Sequence, residues 1–211
     1  MTVLNFPVGQ LQANCYFAVC EKSRKTIIID PGGDADFLIS QLKKHQCKPV
    51  MVIVTHGHFD HVLGVTDLKL CLNLPFYIHK DDLKIYQGAV KSSNYWLGQS
   101  AKMPLAKPDG FLTGGQIINF GQETLQVIHT PGHTPGGICL YNQKAKALFS
   151  GDTLFKNGIG RTDFSYGSSR QLRESLEKIF KLPGETKVYP GHGIQTTIEE
   201  EKANWANQLS S

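Results

Sequence analysis

A chain of 211 residues is long enough for one sizeable core and short for two ordinary domains, so a single domain over residues 1–211 is the expectation. Its 40% hydrophobic and 19% charged residues are ordinary for a soluble globular protein, which argues against disordered and fibrous classes. The net charge of +4 is spread along the chain, with no basic stripe of the kind nucleic acid requires.

The N-terminus, Met1-Thr-Val-Leu-Asn-Phe-Pro, has no basic region followed by a long apolar stretch, so no secretory signal is expected. No apolar run approaches the ~20 residues of a membrane span. A cytoplasmic protein without membrane partners is the expectation. Five cysteines (Cys15, Cys20, Cys47, Cys71, Cys139) form an odd, irregularly spaced set with no CxxC pair, which points to reduced, buried side chains.

In chain order, strands are expected over 14–20 and 26–30, the second ended by Pro31-Gly32-Gly33. Asp34 can cap a helix whose Leu38, Ile39 and Leu42 share one face. Lys48-Pro49 breaks it before a solid apolar run, Val50 to Val54, that reads as a buried strand. Val65, Leu68 and Leu72 return to helical spacing, Phe76 to Ile78 reads as a strand, and a charged helix is expected from Asp81 to about Gln87. Residues 91–110 are irregular and polar, with Tyr95 and Trp96 their notable apolar content, and suit a loop or short helix gating a site. Further strands are expected over 116–120, 124–129, 137–141, 147–149 and 187–189. Between the last two, Ser168 and Gln171 form a capping box ahead of Leu172, Leu176, Ile179 and Phe180. A final helix is expected from about Thr197 to Leu209. No linker, repeat or heptad pattern appears, and a monomer is the default. The simplest architecture is two packed sheets with helices outside.

Thr55-His56-Gly57-His58-Phe59-Asp60-His61 places four candidate ligands within six residues, directly after a strand. His133 (after Pro131-Gly132), Asp152 (after Ser150-Gly151) and His192 (after Pro190-Gly191) each follow a strand-like segment too. Chemistry on sheet proteins collects where strands end. Packing gains nothing from three histidines and an aspartate so close together, and burying them without a metal is costly. His45, His79 and His129 stand apart and read as structural, His129 with some interest because it lies near His133.

Imidazole and carboxylate suit zinc, iron and manganese, with zinc the leading expectation. His56 and His58 alternate on an extended segment and can serve one ion with His133. Asp60 and His61 can serve a second with His192. Asp152, with two oxygens, is the natural bridge. Two divalent ions ~3.5–4 Å apart can share a water and lower its pKa towards neutrality. Asp60 could orient that water and take its proton.

These motifs, in this order and spacing, resemble the metallo-β-lactamase superfamily over nearly the whole chain. The resemblance implies an α/β fold, a four-layer αββα sandwich, and a binuclear metal hydrolase with the ligands just named. It also implies that Asp30, closing Ile27-Ile28-Ile29-Asp30, lies behind the metals and accepts an imidazole N–H. Within the superfamily, Asn14-Cys15-Tyr16 and Gly158-Ile159-Gly160-Arg161-Thr162-Asp163-Phe164 look most like the short, single-domain bacterial glyoxalase II type. That implies attack of a metal-bridging hydroxide on a small-molecule thioester, S-lactoylglutathione or a related acyl-glutathione.

Longer glyoxalase II enzymes add a C-terminal helical domain with basic residues, and a tyrosine where this chain has Ile194. Glutathione binding would therefore rest on groups such as Arg161 and Tyr166, Arg161 being equally placed for a loop salt bridge with Asp163. True β-lactamases often use a cysteine ligand, which nothing here matches. The Gly160–Phe164 stretch is also similar to persulfide dioxygenases, which hold one iron at the positions of His56, His133 and Asp152 and oxidise glutathione persulfide. A superfamily nuclease lacks its basic stripe here, and a non-enzymatic metal-binding protein would not need all seven ligands.

Overall fold

A computed structural model of the chain describes residues 1–98, 100 and 102–209. Two six-stranded sheets stack face to face. The first is ordered β1 (Thr2–Val8), β2 (Ala13–Val19), β3 (Lys25–Ile29), β4 (Lys48–Ile53), β5 (Phe76–His79) and β6 (Gly110–Leu112). It is antiparallel through β3 and parallel from there on. The second sheet contains β7 (Ile117–Phe120), β8 (Glu123–His129), β9 (Ile138–Asn142) and β10 (Ala147–Gly151), antiparallel in that order. Past a two-stranded hairpin, β11 (Leu154–Phe155) and β12 (Gly158–Ile159), β13 (Lys187–Pro190) returns parallel to β10 and pairs with β14 (Thr196–Thr197).

Helices cover both outer faces, which makes the αββα sandwich. On the first sheet lie α1 (Ala35–Lys44), α2 (Phe59–Val62), α3 (Val65–Leu72), α4 (Leu83–Gln87) and α5 (Ala89–Leu97), with a single 3-10 turn at Lys80–Asp82 before α4. On the second lie α6 (Ser169–Ile179) and α7 (Ile198–Leu209). Strand periodicity shows why the layers form. Phe17, Val19, Ile28, Val52 and Val54 face the first helical layer, while Tyr16, Ala18, Ile27, Ile29 and Ile53 face the second sheet. Strands apolar on both faces appear in sequence as unbroken hydrophobic runs.

Several expectations are corrected. β1 is an additional edge strand, and Pro7 is tolerated there because an edge strand leaves ladder positions unpaired. Asp34 occupies the N-cap position of α1 but makes no side-chain cap bond. Its backbone is left-handed, and its carboxylate accepts the Gly9 N–H at 2.8 Å instead. Within 91–110, α5 supplies a helix through Leu97, while residues 99 and 101 lie outside the described set. Cys15, Cys20 and Cys139 are buried, but Cys71 is exposed on α3. No helix among the described residues is long and apolar enough to cross a membrane.

Candidate metal centre

The seven residues expected as ligands meet at one end of the sandwich, where strands from both sheets terminate. The first sheet delivers His56 and His58 just past β4, and Asp60 and His61 from α2. The second delivers His133 past β8, Asp152 past β10 and His192 past β13. Each of two clusters, His56–His58–His133 and Asp60–His61–His192, brings its donor atoms within 4.8 Å of one another and can hold a metal ion.

Hydrogen bonds on the far side of each ring set the tautomers. His133 Nδ1 donates to the Arg161 carbonyl at 2.8 Å, so its Nε2 is bare. Thr55 donates its hydroxyl proton to Asp30 Oδ2 and can then accept from His56 Nδ1 at 3.1 Å, leaving His56 Nε2 bare. His58 Nε2 lies 2.8 Å from the Tyr166 hydroxyl, with Nδ1 turned inward. The inward nitrogens are close: His56 Nε2 to His58 Nδ1 is 3.1 Å, and His133 Nε2 to His58 Nδ1 is 3.0 Å. Lone pairs this close repel unless a cation sits between them.

Protons are poor candidates for that cation. Burial, reinforced by neighbouring histidines, pulls His56 well below the usual range, and burial and His133 pull His58 down to about 3. Three imidazoles that aim ring nitrogens at one point, two of them held below the usual histidine range, are a metal-ligand arrangement.

The second cluster carries the carboxylates. Asp60 Oδ2 is 3.1 Å from His192 Nε2 and 3.6 Å from His61 Nε2. Burial opposes ionisation of Asp60, but His61 and the hydrogen bond from His192 outweigh it and hold the carboxyl below the usual range. Burial alone would lower His61. Asp152, Asp60 and Asp30 together prevail and push it up to about 10. Asp152 lies between the clusters, with Oδ2 3.6 Å from His133 Nε2 and Oδ1 3.5 Å from His61 Nε2. Its Oδ1 is buried with no hydrogen-bond partner among the described residues. A buried carboxyl oxygen without a hydrogen-bond partner is costly, and a divalent ion would satisfy it. Donor set, tautomers and orphaned oxygen all fit two metals.

Asp30 is adjacent but differently engaged. Its oxygens accept from the Thr55 N–H and hydroxyl at 2.6 Å each, and from His61 Nδ1 at 3.1 Å. It therefore orients a ligand rather than offering a free lone pair inward. Gly191 allows the His192 loop to pass close by, since a Cβ there would stand 2.2 Å from Asp152 Oδ1.

Three supports were not visible as such in the sequence. Asn14 donates from its side chain to the Pro190 and Gly193 carbonyls at 2.9 Å, and Tyr16 donates to Pro190 at 2.7 Å, so together they hold the His192 loop. The buried Asp82 accepts the N–H of Gly57 at 2.7 Å and of Gly136 at 2.5 Å, joining the His56–His58 loop to the loop after His133. Arg161 contributes its carbonyl to His133, as above. Only the Asn-Cys-Tyr motif carried a signal, and that through resemblance alone.

Above the ligands opens a cavity of about 550 Å³, with Leu11, Trp96, Leu97 and Phe164 among its walls and Arg161 at its edge. The Arg161 guanidinium makes a two-point ion pair with Asp163, at 2.7 and 2.6 Å, and lies over the Phe164 ring. Tyr166 stacks on Phe164 beside His58. Of the histidines read as structural, His79 and His129 stack face to face at 4.2 Å with Asp81 close by. Parallel rings cannot aim both lone pairs at one ion, so this cluster is ill-disposed to a metal as it stands.

Residues 8–192 match the sequence family described as the metallo-beta-lactamase superfamily. Among curated proteins, the chain is 32% identical over 209 residues to hydroxyacylglutathione hydrolase GloC of Haemophilus influenzae, covering 96% of this chain and 95% of that one. It is 34% identical to the probable metallo-hydrolase YqgX of Bacillus subtilis strain 168, covering 93% and 92%. Among solved structures, it superposes on BLEG-1, described as a B3 metallo-beta-lactamase, with TM-score 0.85, 36% identity and coverage of 96% and 97%. The di-iron-bound form of TTHA1623 gives TM-score 0.87, 35% identity and coverage of 95% and 98%. ETHE1 from Myxococcus xanthus gives 0.80, 27% identity and coverage of 97% and 83%.

Proposed function

The chain belongs to the metallo-β-lactamase superfamily, and from that premise we propose that it is a binuclear metal-dependent hydrolase of a thioester, S-lactoylglutathione or a related acyl-glutathione. His56, His58 and His133 would hold one divalent ion and Asp60, His61 and His192 the other, with Asp152 placed to serve both. The single observation that carries the two-ion reading is Asp152, whose carboxylate faces a histidine of each cluster while one of its oxygens has no hydrogen-bond partner among the described residues. The likeness to a hydroxyacylglutathione hydrolase over nearly the full length of both chains supports the thioester substrate.

When bound, two such ions polarise a carbonyl oxygen and lower the pKa of a shared water. The protein's residues do the rest. Asp60, held ionised, orients the attacking water and accepts its proton. Water oxygen bonds to the acyl carbon, the carbon–sulfur bond breaks, and the products are a carboxylic acid and a thiol. The apolar walls of the cavity, Trp96, Leu97 and Phe164, keep other water away from the reacting carbonyl. Physiologically, zinc is the first candidate metal, and a di-iron-bound relative keeps iron in view.

The test is hydrolysis of S-lactoylglutathione by purified, metal-replete protein beside an Asp60→Ala variant. Turnover that vanishes in the variant is the expected result. Turnover no higher than the variant's sinks the assignment. A persulfide dioxygenase is the second reading, favoured by the likeness to ETHE1. Oxygen uptake with glutathione persulfide on iron-loaded protein, without thioester turnover, would establish it instead.

A further inference from the structure

A second cavity, about 440 Å³, adjoins the one above the ligands, and the two share His58, Phe59, Ser92 and Tyr166. It lies between α4 and α5 on one side and the loops carrying Pro135 and Ser165 on the other. Both cavities have the size of small-molecule sites. A thioester extends two arms from its carbonyl, one acyl and one thiol. A carbonyl seated at the histidines can send them into different cavities.

The two cavities differ in charge. Apart from the candidate ligands His58, Asp60, His133 and Asp152, the first is walled mainly by apolar side chains, and its Arg161 is already answered by Asp163. The second is lined by Lys84 and Asp81, opposite charges one helical turn apart. Among the described residues Lys84 makes no ion pair, and the Asp81 carboxylate lies 3.7 Å from His79 Nδ1 rather than on Lys84. Burial holds His79 below its usual range, so a cation with no ion pair and an anion facing only that imidazole stand on one wall, and they complement a group that carries both charges. An α-amino acid is such a group, and the γ-glutamyl end of glutathione is one. Ser92 and Ser165 add hydroxyls suited to the peptide amides between that end and the sulfur.

We propose that the α4–α5 cavity receives the zwitterionic amino-acid end of the substrate's thiol arm, Lys84 binding its carboxylate and Asp81 its ammonium. The apolar first cavity then holds the acyl group. This rests on the thioester reading above, but its test is separable from it.

Binding of S-methylglutathione, a thioether that cannot be hydrolysed, is measured by calorimetry on metal-replete wild type, Lys84→Met and Asp81→Asn. Both side chains are exposed, so the variants keep their packing. Each substitution should weaken binding roughly tenfold or more, the size of a lost charge-assisted hydrogen bond. The same ligand acetylated on its α-amine should be insensitive to Asp81→Asn and still sensitive to Lys84→Met. In turnover, both variants should raise KM for S-lactoylglutathione with kcat little changed. Neither should alter KM for the S-lactoyl thioester of N-acetylcysteamine, which lacks the amino-acid end. Unchanged S-methylglutathione binding in the variants, or no binding by wild type, overturns the proposal, as does an equal KM rise for the N-acetylcysteamine thioester. Absent thioester turnover with intact, Lys84-dependent binding would instead defeat the hydrolase assignment and leave the cavity's role standing.

Discussion

Asp82 is a fully buried carboxylate whose two oxygens each accept a backbone N–H from a ligand-bearing loop. Both donors are glycines, and the contact demands it. A Cβ on Gly57 would stand 2.8 Å from the Asp82 carbonyl oxygen, and one on Gly136 2.6 Å from the Asp82 nitrogen. Asp82→Asn keeps the shape but turns an NH2 towards one of those N–H groups. It should destabilise the fold by about 1–3 kcal/mol for the unsatisfied donor and weaken metal binding roughly tenfold, as loss of supporting bonds does. Denaturant unfolding together with metal titration checks both, and wild-type affinity in a destabilised variant would confine Asp82 to folding. His61 permits a second test. Its folded-state pKa is raised from 6.5 to about 10 in the metal-free protein. The resulting stability is therefore fully present below the ordinary histidine range and is lost as pH rises through about 10. A metal must displace that proton, so loading at pH near 7.5 should release it and apparent affinity should climb with pH. Calorimetry in two buffers of different ionisation enthalpy detects the release. Its absence would mean that His61 is neutral before metal arrives.

At the scale of elements, α6 shows how a helix start can serve the site. Ser168 caps it by accepting the Gln171 N–H at 3.3 Å, but the expected capping box is only half made, because the Ser168 N–H bonds the carbonyl of Gly132, the residue before His133, instead of the Gln171 side chain. Ser168→Ala should cost about 1 kcal/mol of stability while leaving turnover largely intact, because the backbone bond to Gly132 survives. A large loss of turnover at unchanged metal content would show that the cap hydroxyl itself positions His133. This helix was legible in the sequence because its cap and apolar stripe are local signals. The strands from β2 to β4 were legible because burial on both faces leaves unbroken runs such as Ile27-Ile28-Ile29. β1 was not, since an edge strand with a half-exposed pattern and an internal Pro7 carries neither signal. α5 read as irregular because its Tyr95 and Trp96 face outward and its stripe is weak. The grouping of seven candidate ligands was legible from motif and spacing. The roles of Asp82 and of the Arg161 carbonyl were not, because both act on backbone or rings that only the fold brings near.

The whole molecule is two sheets whose ligand loops meet at a single rim, and each ligand cluster draws on both. His133 from the second sheet completes the pair from the first, and His192 completes Asp60 and His61. Metal ions bound in these positions would tie the halves of the sandwich together, and no disulfide does so, as the five cysteines are all free. Binding restricted to the folded state stabilises by mass action, about 4 kcal/mol at a free metal concentration of 1,000 Kd. For a chain of this size that corresponds to a rise in Tm of roughly 8–16 °C. Removing metal with a chelator should therefore lower Tm by that order and restore it on readdition. The fall should be shared by both sheets, because neither keeps a complete ligand set alone. Amide hydrogen exchange distinguishes the cases: faster exchange in the Thr55–His61 segment and around both His133 and His192 on metal removal is the expected pattern. Exchange that quickens around only one of those two histidines would mean that one cluster alone binds metal, and the bridging place of Asp152 would fall with it.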